Sequence, residues 1–207
     1  MYSGLTLTKY SGRLMGAHQK VDRVARRHLT SLLEVEDTFP AITDILRFEG
    51  KNGPDGIKRK SPGRDEPWHY LDPLTDDNEA FLKIIHEHYD KLVTSLKTSN
   101  QERAAFEAAW LAHAIVDGLT PAHHYPYEAK IDELRSGGNK ARQTVKDKIV
   151  FTGNTKRQTL KNTYKVYGPR GLITSHFAFE HGVTMLLAPL RLPDAKPSEQ
   201  HIKELKT

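Results

Sequence analysis

Apolar residues recur at helical spacing along most of this chain. Between Arg13 and Val35, the residues Leu14, Val21, Val24, Ala25, Leu29, Leu32 and Leu33 fall close to one stripe, which predicts an amphipathic helix with His18 one turn before Asp22. Phe39-Pro40 opens a shorter helix through Ile42, Ile45, Leu46 and Phe48. The stretch from Glu49 to Pro67 is rich in Gly, Pro and Lys and reads as a loop. A long helix follows to Lys97, with Phe81, Ile84, Ile85, Leu92 and Val93 as its apolar positions and candidate caps between Asp72 and Asn78. Ser99-Asn100, with Glu102 and Arg103 behind it, opens the next helix, which ends near Asp117 because Gly118 and Pro121 break it.

Beyond that break the pattern predicts short basic helices punctuated by Gly137-Gly138 and Gly153-Asn154, with Val150-Phe151-Thr152 extended. A last core helix starts near Gly171 and stops before Pro189. The fold class is therefore all-α, with residues 1–189 as one multi-helix domain and 190–207 as a loosely attached tail carrying a short terminal helix.

Composition narrows the chemistry. Cys is absent, which removes disulfides, thiolate metal sites and cysteine nucleophiles, so any metal must be held by nitrogen and oxygen. No stretch approaches the roughly 18 apolar residues of a membrane span. Residues 1–16 lack the apolar run of a secretory signal, which points to a cytoplasmic protein, or a secreted one whose leader has been trimmed. The formal charge of +5 favours anionic partners without choosing among them.

The densest chemistry lies between Leu111 and His124. His113 and Asp117 are four residues apart, so a helix projects them from one face, and the turn after Gly118 lets His123 or His124 come back toward the same cavity. An isolated pair at this spacing is usually an ordinary surface ion pair. Here it recurs. His176 and Glu180 repeat the spacing on the last core helix, His69 lies in Pro67-Trp68-His69-Tyr70-Leu71-Asp72-Pro73, and His18 lies on the first helix. His86 and His88, two apart, face different directions, so at least one is on the surface. Trp68 and Trp110 read as core.

In order along the chain, His18, Asp55 in Gly53-Pro54-Asp55, His69, the run His113-x3-Asp117-x5-His123 with Pro121 two positions before its end, and finally His176-x3-Glu180 resemble the zinc-dependent phospholipase C and P1 nuclease superfamily. The resemblance runs from about residue 16 to about residue 187. It implies a helical domain with a metal cleft between helices and two or three Zn2+ ions. His69, His113 and Asp117 would hold one ion, with Asp55 a further ligand or the catalytic base. His123, His176 and Glu180 would hold a second, and His18 with the other oxygen of Asp117 a third. No tryptophan precedes His18, whereas secreted members complete the third site with an N-terminal one.

The implied reaction is hydrolysis of a phosphate ester by metal-activated water. Imidazole and carboxylate bind zinc at roughly 2.0–2.2 Å, and the pKa of bound water falls to about 7 in favourable sites. Phospholipid is the first expectation for substrate and nucleic acid, in a P1-type nuclease, the second. A catalytically degenerate, metal-stabilised helical binding domain and a plain helical nucleic-acid binder are the readings from other classes. The helical His-Asp phosphohydrolases are excluded by the lack of any adjacent His-Asp dipeptide. Lys58, Arg59 and Lys60, close after Asp55, are candidates to meet a phosphate, and Tyr70, Phe177 and Phe179 to wall the cleft. The segment between His123 and His176 is longer than in secreted members. Its Lys130, Arg142, Lys148, Arg157, Lys165 and Arg170 read first as a solvated face, and otherwise as a means of peripheral contact with anionic surfaces.

Overall fold

An alanine-rich helix runs through the middle of the molecule because its small side chains let three neighbours approach it. The computed structural model describes residues 16–30, 33, 38–60, 70–75, 77–138, 142–190 and 198–204, and every regular element among them is helical. The elements are α1 (Ala17–Thr30), α2 (Ile42–Ile45), α3 (Pro54–Lys60), α4 (Glu79–Lys97), α5 (Gln101–Gly118), α6 (Tyr127–Glu133), α7 (Val145–Ile149), α8 (Lys156–Tyr167), α9 (Leu172–Leu187) and α10 (Glu199–Glu204). Three 3-10 turns add Leu46–Phe48, Gly50–Asn52 and Pro121–His124.

Central α5 starts at Asn100, whose side chain accepts from Arg103 N at 3.1 Å, a standard N-cap. Ala104, Ala105, Ala109 and Ala114 are fully buried, and α1, α2 and α4 pack on them. One end of the core gathers Ile45, Trp110, Phe39, Phe48 and Phe106, with the Phe106 and Trp110 rings 4.8 Å apart. Truncating one such ring to alanine typically costs about 3–5 kcal/mol.

A polar tie joins α4 to α5 beside those rings. His88 Nδ1 lies 2.5 Å from Glu107 Oε2, and Arg103 pairs with the other oxygen of the same carboxylate. His86 is exposed, as the two-residue offset requires. At the far end of α5 the two helices meet through Gly118: a Cβ there would stand 2.6 Å from Phe81 Cζ. Gly118→Ala is expected to push α4 away and to cost about 1–3 kcal/mol, read as a lowered melting temperature.

Two sequence expectations change. The Glu49–Pro67 stretch is not wholly loop, since Gly50–Asn52 is a 3-10 turn and Pro54–Lys60 is helix. Pro54 sits at the first helical position, where its missing N–H costs nothing and its fixed φ suits a helix start. Asn78 stands before α4 without capping it through its side chain. That amide instead closes the preceding loop, donating to Asp72 O and Thr75 O and accepting from Asp72 N.

The long basic segment is an organised subassembly of α6, α7 and α8. Arg135 is buried at its centre, donates to the carbonyls of Asp147, Lys148 and Val150, and lies 4.6 Å over the Phe151 ring. Val150 is extended, and residues 150–152 form no regular element. α8 then packs on α9, and α9 on α1. Lys20 of α1 fixes that last contact by donating to the carbonyls of Leu187, Ala188 and Leu190 at the C-terminal end of α9, where cationic donors are favoured.

Candidate metal centre

Four elements converge on one buried polar spot: α1, the last two turns of α5, the Pro121–His124 turn, and α9. The turn follows directly from sequence. Gly118 ends α5, Thr120 donates its hydroxyl back to Val116 O and its amide to Asp117 O, and His123 N then donates to Thr120 O at 2.8 Å. Pro121 occupies the first turn position. His123 is thereby swung inward and buried, whereas His124 Nε2 donates to Gly118 O at 2.8 Å and holds the turn closed. The structure thus separates the two histidines that spacing alone leaves as alternatives.

Two groups of side chains here could each hold a metal ion: His18, His113 and Asp117, and His123, His176 and Glu180. In the first, the His18 and His113 rings stack in parallel, 4.1 Å apart and 1° from coplanar orientation. Each aims Nε2 at a different oxygen of one carboxylate, His18 at Asp117 Oδ1 (3.1 Å) and His113 at Asp117 Oδ2 (3.3 Å). In the second, His123 Nε2 and His176 Nε2 both stand 3.0 Å from Glu180 Oε1. Zinc bonds of roughly 2.0–2.1 Å in a tetrahedron leave about 3.3–3.4 Å between ligand atoms, close to these separations. The groups are contiguous, because Asp117 Oδ1 is also 3.4 Å from His123 Nε2.

Electrostatics suit a cation. Burial favours the neutral form of Asp117, yet nearby positive charge, His113 and His18 included, holds its carboxyl well below the ordinary range. Burial acts the same way on Glu180, and hydrogen bonds from His123 and His176 reverse it, so this carboxyl too is held low. Burial and the neighbouring His113 charge lower the His18 pKa, which leaves an imidazole nitrogen available as a ligand. For His113 burial also pulls downward, but Asp117 and Glu49 outweigh it and raise the pKa well above its ordinary value. The spot therefore attracts positive charge, whether carried by a proton or by a metal.

His18 tests the fit. It is fully buried, its Nε2 faces Asp117 Oδ1 from 3.1 Å, and its Nδ1 has no hydrogen-bond partner among the described residues. A buried imidazole aimed at a buried carboxylate is a donor pair that a cation held between them would suit.

Of the eight sequence candidates for metal ligation, these two groups contain six. His69 lies outside the described residues. Asp55 is half-buried in the first turn of α3 and belongs to neither group. Lys58, Arg59 and Lys60 continue α3, with side chains outside the described part of the structure. Tyr70 stands beside the second group, its ring 6.0 Å from His123 and 6.0 Å from Tyr127, while Leu71 N donates to His123 O. Phe177 is exposed with its ring 6.3 Å from His176, and Phe179 is exposed on the outer side of α9.

No protein-family model, curated protein or solved structure matches this chain. The geometry of the site therefore carries the functional argument.

Three residues escaped the sequence reading as site components. Glu49, buried after the Leu46–Phe48 turn, brings Oε2 to 3.4 Å from His113 Nδ1. Asp22 is buried near it, and burial followed by the Glu49 charge pushes its carboxyl pKa well above the usual range. Tyr127 packs edge-on against His176, 4.8 Å between centroids. For Glu49 no local signal exists, since it is 64 positions from its partner. A carboxylate behind a ligating histidine fixes the ring and raises its basicity. Glu49→Gln is accordingly expected to weaken metal affinity about 10–100-fold with the fold retained, as measured by competition with a chromogenic chelator.

Proposed function

We propose that this chain is a zinc-dependent phosphoric ester hydrolase, phospholipase C-like in attacking a phosphodiester with metal-activated water. The observation that carries the reading is Asp117, one fully buried carboxylate placed between the His18–His113 stack and His123, so that two adjacent metal positions share it. Zinc suits a site of imidazole and carboxylate donors without thiolate, and when bound it would polarise phosphoryl oxygen and lower the pKa of water to about 7. His18, His113 and Asp117 would hold one ion and His123, His176 and Glu180 another, with His69 the expected further ligand. Asp55 is the candidate to orient or deprotonate the attacking water. Tyr70 and Tyr127 wall the His123–His176 side and restrict how an ester can lie against it.

The raised pKa of His113 gives a pH dependence. A metal must displace the proton that Asp117 and Glu49 hold on this ring, so affinity rises with pH until the raised pKa is passed. Calorimetric titration in buffers of different ionisation enthalpy is expected to show release of about one proton at neutral pH as the His113 group fills.

The substrate class is tested with a panel. Chelator-sensitive hydrolysis of phosphatidylcholine, in excess over that of single-stranded DNA, supports the phospholipase reading, and the reverse ranking makes the protein a P1-type nuclease. Bound zinc with no turnover on any phosphodiester would replace both by a metal-stabilised helical binding domain.

A further inference from the structure

The outer faces of α8 and α9 lie away from the metal ligands and combine two features. α9 carries a single acidic side chain, Glu180, which is turned inward to the site. Its outward side shows Phe179, Met185 (63% exposed) and Leu186 (73% exposed), with Ala178 also exposed and nothing within 4 Å of where a Cβ on Gly182 would project. Isolated exposed apolar residues are ordinary, but a run of them along one helix face marks an interaction surface. α8, packed against α9, buries Asn162 and Val166 and turns Leu160 (73% exposed) and Tyr164 (67% exposed) outward. Lys156, Arg157, Lys161 and Lys165 are all exposed around them, and the helix contains no acidic residue.

We propose that the outer faces of α8 and α9 dock this protein on an anionic lipid surface, with Leu160, Tyr164, Met185 and Leu186 entering the headgroup boundary and the α8 cations pairing with lipid phosphates. Exposed apolar side chains edged by Lys and Arg are the pattern of interfacial helices. Nucleic acid would answer the cations but leave the aliphatic Met185 and Leu186 without a partner. A two-fold dimer through this face would cover the apolar residues but bring the α8 cations of both copies together. An anionic bilayer satisfies both features. The surface stands independently of the metal centre.

The experiment is flotation of the full chain with vesicles of phosphatidylcholine alone and of phosphatidylcholine mixed with phosphatidylglycerol, at low and high salt. Binding is expected only to the mixed vesicles and to weaken with salt. Lys156→Glu with Lys161→Glu is expected to reduce the partition coefficient by about fivefold or more per cation replaced, and Met185→Ser with Leu186→Ser by about tenfold. All four positions are exposed, so circular dichroism and zinc content stay at wild-type values, which separates failure of docking from failure of the metal centre. Equal binding of wild type and variants, absence of binding to the mixed vesicles, DNA binding that the same substitutions remove in place of vesicle binding, or a dimer dissolved by Met185→Ser with Leu186→Ser would each overturn the proposal.

Discussion

Asp117→Asn is expected to lower turnover on a phosphodiester by about 1000-fold, the rate equivalent of roughly 4 kcal/mol, and to remove at least one zinc ion from each chain. The Asp117 carboxylate faces three of the four imidazoles of the two groups. Asp117 Oδ1 meets His18 and His123, and Oδ2 meets His113. An amide would turn an NH2 toward imidazole nitrogens or toward the cation, and it would delete the charge that makes the pocket attractive to metal. Glu180→Gln should be milder in one respect, because it disturbs only the His123–His176 group. Elemental analysis with kcat on both variants checks the pair. A D117N protein retaining its full metal content and a rate within a factor of about ten of wild type would remove the shared-carboxylate argument.

Metal removal is expected to lower the melting temperature by about 10 °C. A ligand at about 1000 times its Kd stabilises by about 4 kcal/mol, and near 200 residues each kcal/mol shifts Tm by roughly 2–4 °C. The effect should be this large because the candidate ligands come from four separate elements, α1, α5, the Pro121–His124 turn and α9, which a cation would clamp together. Without it, a buried imidazole stack and two buried carboxylates remain as polar groups in the interior. A thermal melt followed by circular dichroism, with excess chelator and then with zinc or magnesium restored, tests this. Recovery with zinc and not magnesium is the expected pattern, since an imidazole-rich set disfavours the harder cation.

Much of this arrangement could be read from the sequence because helices translate spacing into shared faces. The i, i+4 pairs His113–Asp117 and His176–Glu180 needed only the apolar pattern of α5 and α9 to be placed. The Gly118–Pro121 break likewise announced the turn that carries His123. What sequence did not reveal is contact across elements. Glu49 reaches His113 across 64 positions, and Glu107 of α5 reaches His88 of α4; the sequence marks Glu107 only as the i, i+4 partner of Arg103 and gives Glu49 no such spacing. The start of α3 is hidden for a different reason: Gly and Pro around Asp55 signal a loop, although proline also suits a first helical position. Arg135 carries the same lesson for charge. It belongs to a basic stretch that reads as solvated, yet it is buried and organises three carbonyls around Phe151.

The central claim is tested most directly by the zinc content of the purified chain, measured by elemental analysis alongside hydrolysis of a soluble phosphodiester before and after chelation. Two or three zinc ions per chain, with turnover lost to chelator and regained with zinc, is the result expected from the paired groups sharing Asp117. A chain that takes up no zinc on reconstitution would contradict the account and leave His18, His113, His123 and His176 as histidines paired with carboxylates.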